Sequence, residues 1–404
     1  MTGKRWNDDV AYVFSTQRVF LRVYGLWPLE TQTVFTKIRW GACMIAQFLI
    51  LPFVIMDLFW GSKDAGSNIE CVTYLVSTTI AIIKGLCLTA SKKKLATNIN
   101  AAIDDWISAK DNKETKKIMK KHADRSRILT LALLYSLFIC CGAYIAVVIF
   151  INLKILFTDE ILVDVNTTNW VFMYPSGPLG NLITGSQFAI LLPIQVVQAI
   201  TLSILLCIAD CFFFNITIHL TGQLELLKNK FKIFANEPDT EANYRKKFVG
   251  LINRHSELME LYENLEDSFH FLILSQLVVT TIMLAMIGLR LNIYLNEKNY
   301  IEATKSVLVL NYLLMQSLVY TYGGEYLQKE SEGIFHALYT TSWFRLPLTL
   351  MKDLHFAMMR SSIPFRLTGG KFFFVNRETM MYIFKTSASY ISVLRIAIRK
   401  SYNQ

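Results

Sequence analysis

Apolar segments long enough to cross a lipid bilayer are the feature that most restricts how this chain can fold. A spanning helix needs about 20 predominantly apolar residues. Seven segments meet or approach that length, and they cover residues 41–59, 71–89, 128–151, 188–214, 269–291, 307–322 and 372–397. Because the bilayer interior offers no water to pair with backbone polar groups, such segments are expected to be helical. The sequence therefore predicts an all-α membrane protein with seven transmembrane helices.

Composition and charge support this class. Hydrophobic residues make up 53% of the chain and charged residues only 18%, whereas soluble domains carry about 25% charged residues. The formal net charge is +10, but the basic residues lie in connections between apolar segments and form no patch on a nucleic-acid-binding fold. We expect contacts with membrane lipid and no nucleic-acid partner.

The distribution of basic residues predicts the orientation in the membrane. Lysine and arginine are abundant before the first segment and in the second, fourth and sixth connections, and they are sparse in the other connections. Since basic connections remain in the cytoplasm, we predict a cytoplasmic N-terminus and an extracellular C-terminus. The glycosylation sequon at Asn166 falls on the predicted extracellular side, which makes Asn166 a candidate glycosylation site.

Four regions follow from this topology. Residues 1–40 form a cytoplasmic amphipathic segment, and residues 41–323 hold transmembrane helices 1–6, which are predicted to continue as helices into the cytoplasm. Residues 324–371 form a further cytoplasmic segment. Residues 372–404 contain the seventh helix and a short extracellular tail.

Charged residues in the second and seventh predicted spans bear on how these spans are placed. Lys84 lies near the cytoplasmic end of the second span, where its ammonium group is expected to reach the interface. The seventh span carries Arg377, Glu378, Lys385 and Arg395, so lipid on all sides would be unfavourable. Either the other six helices surround this span, or it lines an aqueous path.

A pore-lining helix must present one stripe to water. Tyr390, Val393 and Ala397 share a face at spacings i, i+3 and i+7. In the aqueous-path interpretation, Val393 is a candidate apolar constriction that closes by excluding water. Ordinary core packing is the alternative for the same residue.

No catalytic pattern is present in the sequence. HExxH, P-loop, GxSxG and paired CxxC motifs are absent, and the seven cysteines lack companions at zinc-ligand spacing. We expect no enzymatic activity, no metal and no cofactor. A G-protein-coupled receptor is disfavoured because the predicted orientation is inverted and the seventh span contains no proline.

The last 85 or so residues carry a series of short motifs in a fixed order. They are Gly324-Glu325-Tyr326-Leu327, Ala337-Leu338-Tyr339 with Trp343, Met359-Arg360-Ser361-Ser362 with Pro364, Leu367-Thr368-Gly369-Gly370, and Ser389-Tyr390 with Leu394-Arg395. This region resembles the carboxy-terminal region of insect odorant receptors. Further upstream, the resemblance is limited to topology and to pieces such as Tyr24-Gly25-Leu26-Trp27-Pro28.

The resemblance implies a tuning subunit of a ligand-gated, non-selective cation channel. Such subunits form heterotetramers with a shared co-receptor in the plasma membrane of olfactory sensory neurons. Residues 324–371 would belong to the cytoplasmic anchor between subunits, and the last helix would line the central pore. Alignment through Ser389-Tyr390 places the hydrophobic gate at Val393 and the next inward-facing turn at Ala397.

The resemblance also implies a pocket for a small volatile or lipophilic odorant or pheromone, in the extracellular half of the bundle between the second, third, fourth and sixth spans. Projected onto this chain, the pocket residues are Tyr74, Thr78, Tyr144, Val147, Phe188, Leu192, Tyr312 and Met315. This mixture of apolar groups and a few hydroxyls suits a small-molecule site, although each residue is also compatible with core packing. The alternatives are a gustatory-type homotetrameric channel and a metabotropic seven-span receptor.

Overall fold

The described part of the chain is almost entirely helical. The computed structural model describes residues 6, 8–61, 65–158, 170–175, 183–235 and 240–402, with side chains in the last helix described up to residue 393 and at residue 395. The α-helices are α1 Asp8–Val23, α2 Val34–Phe48, α3 Ile50–Trp60, α4 Ala65–Ala90, α5 Lys92–Ser108, α6 Lys113–Thr158, α7 Gly185–Ile233, α8 Glu241–Asn296, α9 Tyr300–Thr340, α10 Leu348–Ser361 and α11 Arg377–Tyr402. Single 3₁₀ turns cover Ala109–Asp111 and Trp343–Arg345, and strands β1 (Thr368–Gly369) and β2 (Phe373–Phe374) form an antiparallel pair.

The helices correspond to the predicted spans. Five segments within the described residues are long and apolar enough to cross a membrane: Val34–Trp60, α4, Lys113–Leu156, α7 and α8. The first of these is interrupted at Leu49, where α2 ends and α3 begins. The sixth predicted span lies in α9 and most of the seventh in α11, whose mean hydropathy is reduced by polar residues.

Four helices are much longer than a bilayer requires. Helix α8 contains 56 residues and is therefore roughly 84 Å long at 1.5 Å per residue, whereas the hydrocarbon core is about 30 Å thick. Helices α6, α7 and α9 contain 46, 49 and 41 residues. Their extensions lie on the side of the basic connections, so helix packing continues beyond the predicted membrane boundary.

Helix α7 lies at the centre of the bundle. It packs against α4, α6, α8 and α9, and its cytoplasmic half also contacts α1. Every residue from 207 to 218 is buried, which exceeds three helical turns and leaves no face for lipid. The main hydrophobic core is built around this segment.

The amphipathic segment at the start of the chain forms α1. Its buried residues are Val10, Phe14, Gln17 and Leu21, which recur at intervals of three and four and therefore form a single face. That face lies against α7 and α5. A salt bridge of 2.6 Å joins Asp9 to Lys116, so α1 is fixed to the cytoplasmic extension of the bundle.

The seventh helix begins later than predicted. The predicted span started at residue 372, but residues 368–374 form the strand pair and α11 begins at Arg377. The side chain of Asn376 accepts a hydrogen bond of 2.9 Å from the backbone N–H of Thr379, which caps the helix. Strands of two residues are too short to show an alternating pattern, so no pattern in the sequence predicts them.

Helix α11 packs on one face only. Met380, Ile383 and Ser387 are buried, whereas Lys385 and Ser389 on other faces are exposed. The contacts of α11 are mainly with α8 and α9. Of the two alternatives for this span, enclosure by the other six helices does not fit this packing, because the helix leaves a polar face open.

Gly324 in α9 provides a test of the link between α9 and α11. A Cβ at this position would overlap the carbonyl oxygen of Val375, which directly precedes α11. We expect Gly324→Ala to destabilise the protein by about 1–3 kcal/mol, because the clash involves backbone, and thermal unfolding of the detergent-solubilised protein measures this.

The control for Gly324→Ala is Gly250→Ala. Gly250 in α8 has open space around its Cα, so alanine there should be neutral or stabilising by about 0.5–1 kcal/mol. Equal thermal unfolding midpoints for the two variants would contradict the close approach of Gly324 to the Val375 carbonyl.

Candidate ligand-binding site

An apolar cavity of about 150 Å³ lies inside the bundle. It is bounded by α4, α6, α7, α8 and α9 and by the connection that precedes α7. The residues that line it are Thr73, Tyr74, Ser77, Leu137, Cys140, Cys141, Tyr144, Met173, Tyr174, Ala199, Leu202, Ser203, Leu206, Met283, Val309, Tyr312 and Leu313. We call this space the inner cavity.

The inner cavity includes three of the eight residues predicted from the sequence. Tyr74, Tyr144 and Tyr312 line it. The other five, which do not line it, are Thr78, Val147, Phe188, Leu192 and Met315. Thr78 is fully buried, Val147 is partly exposed, and Met315 packs against the main core.

The two residues predicted on α7, Phe188 and Leu192, lie nearer the outer end of that helix than the inner cavity does. Phe188 stacks on Trp170 with ring centroids 4.6 Å apart, and Leu192 packs in a small outer cluster. The cavity instead begins at Ala199, seven residues or roughly 10 Å further along the helix. Helical periodicity predicts which face of a helix points into the bundle, but it does not predict how deep in the bundle a residue on that face lies.

Several lining residues were missed although their spacing was visible. Cys140, Cys141 and Leu137 lie one and two turns before Tyr144, and Ser77 lies one turn after Tyr74. They share the faces of the predicted residues. In contrast, Met173 and Tyr174 come from a non-helical connection, and no periodic signal marked them.

A second, more open space of about 610 Å³ lies between the inner cavity and the predicted extracellular side. Tyr144, Met173 and Tyr174 line both spaces, so they form the partition between them. The ring of Tyr74 packs edge to face against the rings of Tyr174 and Tyr144, with ring centroids 5.2 Å and 6.5 Å apart. We call the outer space the vestibule, and an aromatic wall separates it from the inner cavity.

A charged cluster joins four helices beside this wall. The guanidinium group of Arg290 is fully buried and lies 2.9 Å from Glu70 and 2.8 Å from Glu302. It also donates a hydrogen bond of 2.9 Å to the hydroxyl of Tyr144. Lys305 completes the cluster through a 2.6 Å contact with Glu302. Arg290 therefore holds α4, α6 and α9 against α8.

A second ion pair lies below the inner cavity. The ammonium group of Lys84 is 2.7 Å from Asp210, and both side chains have no exposed surface. The same ammonium donates a hydrogen bond of 2.7 Å to the carbonyl oxygen of Leu206, which lines the cavity. The prediction that Lys84 reaches the membrane interface is therefore wrong, because its counter-ion lies inside the bundle on α7.

Polar contacts continue from Asp210 toward α11. Gln316 and Tyr320 on α9 donate to the Asp210 carboxylate, and Gln316 accepts a hydrogen bond of 2.9 Å from Gln276 on α8. Five residues further along α8, the carbonyl oxygen of Thr281 accepts a 3.2 Å hydrogen bond from the hydroxyl of Ser387 in α11. Helix α8 thus contacts both the cavity floor and the seventh helix.

Two tyrosine hydroxyls at the inner cavity lack a partner among the described residues. The hydroxyl oxygens of Tyr174 and Tyr312 are buried and make no hydrogen bond. Burial raises the pKa of Tyr174 above that of a free phenol, so its proton is retained at neutral pH. The hydroxyl of Tyr144, in contrast, is already engaged by Arg290 and Glu70.

The predicted pore residues lie away from the cavity. Tyr390 and Val393 on α11 are 51% and 60% exposed, whereas the side chain of Ala397 and the sequon residue Asn166 lie outside the described part of the structure. No group of three or more potential metal ligands occurs among the residues described.

Sequence comparisons identify relatives of the chain. The profile of the family described as 7tm Odorant receptor matches residues 65–388. Odorant receptor 47a of Drosophila melanogaster is 24% identical over 194 residues, covering 46% of this chain and 48% of that relative. Odorant receptor 13a of the same species is 24% identical over 212 residues, covering 47% of this chain and 50% of that relative. The chain spans about half the length of these curated relatives.

Structural comparison agrees with the predicted fold. The insect olfactory receptor OR5 from Machilis hrabei in complex with eugenol matches with a TM-score of 0.78 at 14% identity, covering 96% of this chain and all (100%) of that chain. A second structure of the same receptor also gives a TM-score of 0.78. At this identity the likeness concerns the fold, and it confirms the expected seven-helix architecture.

Proposed function

The chain belongs to the insect 7tm odorant receptor family, and from that membership we propose that it is the odorant- or pheromone-binding tuning subunit of a ligand-gated, non-selective cation channel. The family is one of receptors rather than enzymes. The chain is a multi-pass membrane protein, and olfactory sensory neurons are its proposed site of action.

One observation carries the channel proposal. Helix α11 packs against the bundle through one face and leaves Glu378, Lys385, Ser389 and Ser392 exposed. Charged side chains facing lipid would cost at least ~2.5 kcal/mol each near the bilayer centre. A water-filled axis shared by several subunits removes this cost, since the polar stripe of each α11 then faces water.

The proposed partner is a shared co-receptor subunit in a heterotetramer. One α11 helix cannot enclose a pore, so further subunits must contribute theirs. The segment 324–371 presents exposed apolar side chains, including Tyr339, Phe344, Leu348 and Phe356, which suit contacts between subunits. We assign this segment to the cytoplasmic anchor of the assembly.

The inner cavity is the proposed ligand site. It lies inside the bundle, is largely apolar and is lined by several hydroxyl groups, which are features of a small-molecule pocket. A dry apolar cavity of about 150 Å³ accommodates a benzene-sized guest, and this matches the size of a volatile compound. The other five predicted ligand contacts stay proposals for residues around the cavity; they are Thr78, Val147, Phe188, Leu192 and Met315.

Whole-cell recording tests the proposed function. The chain is expressed alone and with an insect co-receptor, GTP signalling is blocked, and an odorant panel is applied. Fast cation currents only in the co-expressing cells are the expected result. Currents from the chain alone would favour a homomeric gustatory-type channel, and responses abolished by the block would favour a metabotropic receptor.

A substitution at Val393 tests the gate. Val393→Ala is expected to raise ligand-free current several-fold. Smaller side chains leave a wider apolar ring, and a wider ring excludes water less effectively. The readout is basal current normalised to surface expression. Val393→Leu is the matched control and should keep the channel closed; unchanged basal current in a well-expressed Val393→Ala channel would remove Val393 from this role.

A further inference from the structure

Among the described residues that line the inner cavity, none carries a charge that could pair with a charged ligand. The nearest buried charges are already paired, since Asp210 is held by Lys84 and Arg290 by Glu70 and Glu302. A charged ligand would lose its hydration without gaining a counter-ion, so the cavity selects neutral molecules.

The cavity nevertheless offers two buried hydroxyls that are unused as donors among the described residues, those of Tyr174 and Tyr312. Tyr174 belongs to the wall and lines both the vestibule and the inner cavity. Tyr312 on α9 lines only the inner cavity, and its buried hydroxyl has no partner among the described residues. A buried hydroxyl without a partner is costly, and a ligand that supplies an acceptor removes this cost.

Two other hydroxyls that line the cavity are already hydrogen-bonded. Thr73 donates a hydrogen bond of 2.7 Å to the carbonyl oxygen of Ile69, and Tyr144 is bound by Arg290. Tyr312 also lies one turn from Gln316, which donates to Asp210. A ligand bound to Tyr312 therefore contacts the helix face that carries the polar connections to α8.

We propose that the ligand of this receptor is a small neutral compound with an oxygen acceptor, such as a ketone, aldehyde or ester, and that Tyr312 donates a hydrogen bond to that oxygen. The proposal rests on the proposed odorant site and adds its chemical specificity. Tyr312 acts here as a specificity-determining residue, while the apolar wall supplies most of the contact area.

Matched ligand pairs test this assignment. Acetophenone and α-methylstyrene have nearly the same shape, but only the ketone has an acceptor; 2-heptanone and 2-methyl-1-heptene form an aliphatic pair. Binding is measured by thermal stabilisation of the purified full-length protein in detergent, and currents are recorded with the co-receptor. In the unsubstituted receptor, at least one ketone should bind roughly tenfold more tightly than its hydrocarbon partner.

Tyr312→Phe keeps the ring and removes the hydroxyl. This variant should reduce the ketone preference to about one while leaving hydrocarbon binding unchanged, whereas the control Tyr174→Phe should retain the preference. A ratio near one in the unsubstituted receptor, a ratio preserved in Tyr312→Phe, or no binding by either ketone would overturn the proposal. Preferential binding without any current would instead leave Tyr312 in place and refute the channel function.

Discussion

Replacing Asp210 with alanine is expected to prevent most of the protein from reaching the cell surface. The substitution leaves the Lys84 ammonium fully buried at the centre of four packed helices, with only the carbonyl oxygen of Leu206 as a partner. Breaking a buried ion pair by removing one member typically costs about 3–5 kcal/mol, which is a large fraction of a typical folding stability. Surface labelling and thermal unfolding of the extracted protein measure the effect.

The double variant Lys84→Met/Asp210→Leu separates charge pairing from other losses at this site. With both charges replaced by apolar groups, much of the stability should return, although Tyr320 and Gln316 still lose their acceptor.

The control is Lys94→Ala, which breaks a 2.8 Å ion pair with Asp267. The side chains of Lys94 and Asp267 are 46% and 42% exposed. That exposed pair should contribute about 0–1 kcal/mol. A double variant as unstable as Asp210→Ala would show that the ion pair is not the cause.

Arg290→Ala is expected to have the second large effect. It leaves the carboxylates of Glu70 and Glu302 facing each other with only Lys305 to balance them. It also removes the donor that fixes Tyr144 in the wall between cavity and vestibule. We expect a loss of about 3–5 kcal/mol, seen as a lowered unfolding temperature and weak surface labelling.

Milder changes at the same cluster distinguish charge from geometry. Arg290→Lys keeps the positive charge but cannot spread its donors over three partners, so it should fold with reduced stability. Glu70→Gln should also be tolerated, because Glu302 still pairs with the guanidinium group. Arg22→Ala serves as the surface control, since that side chain is 59% exposed. Full stability of Arg290→Ala would contradict the role assigned to the cluster.

The predicted binding residues show which part of the inner cavity helical periodicity can predict. Tyr74, Tyr144 and Tyr312 line the inner cavity because each lies on the inward face of its helix. Leu192 lies about two turns along α7 from Ala199, the first residue of that helix to line the cavity. Met173 and Tyr174 have no helical pattern, so only their packing against Tyr74 and the outer cluster reveals them.

The amino-acid sequence by itself determined the class of the protein, the number of membrane-spanning segments and the location of its basic connections. These properties depend on the free energy of placing each segment in lipid or water, and that quantity is local to the segment. Its carboxy-terminal motifs also pointed to the family. The same information indicated that the seventh helix could not be surrounded by lipid.

Only the tertiary structure decided how the buried charges are paired. Lys84 and Asp210 are separated by 126 positions, and Arg290 and Glu70 by 220. Neither separation leaves a pattern in one sequence, so Lys84 alone was interpreted as an interfacial residue. The pairing, the depth of the inner cavity and the single packed face of α11 all depend on which helices become neighbours, and helix packing decides that after each helix has formed.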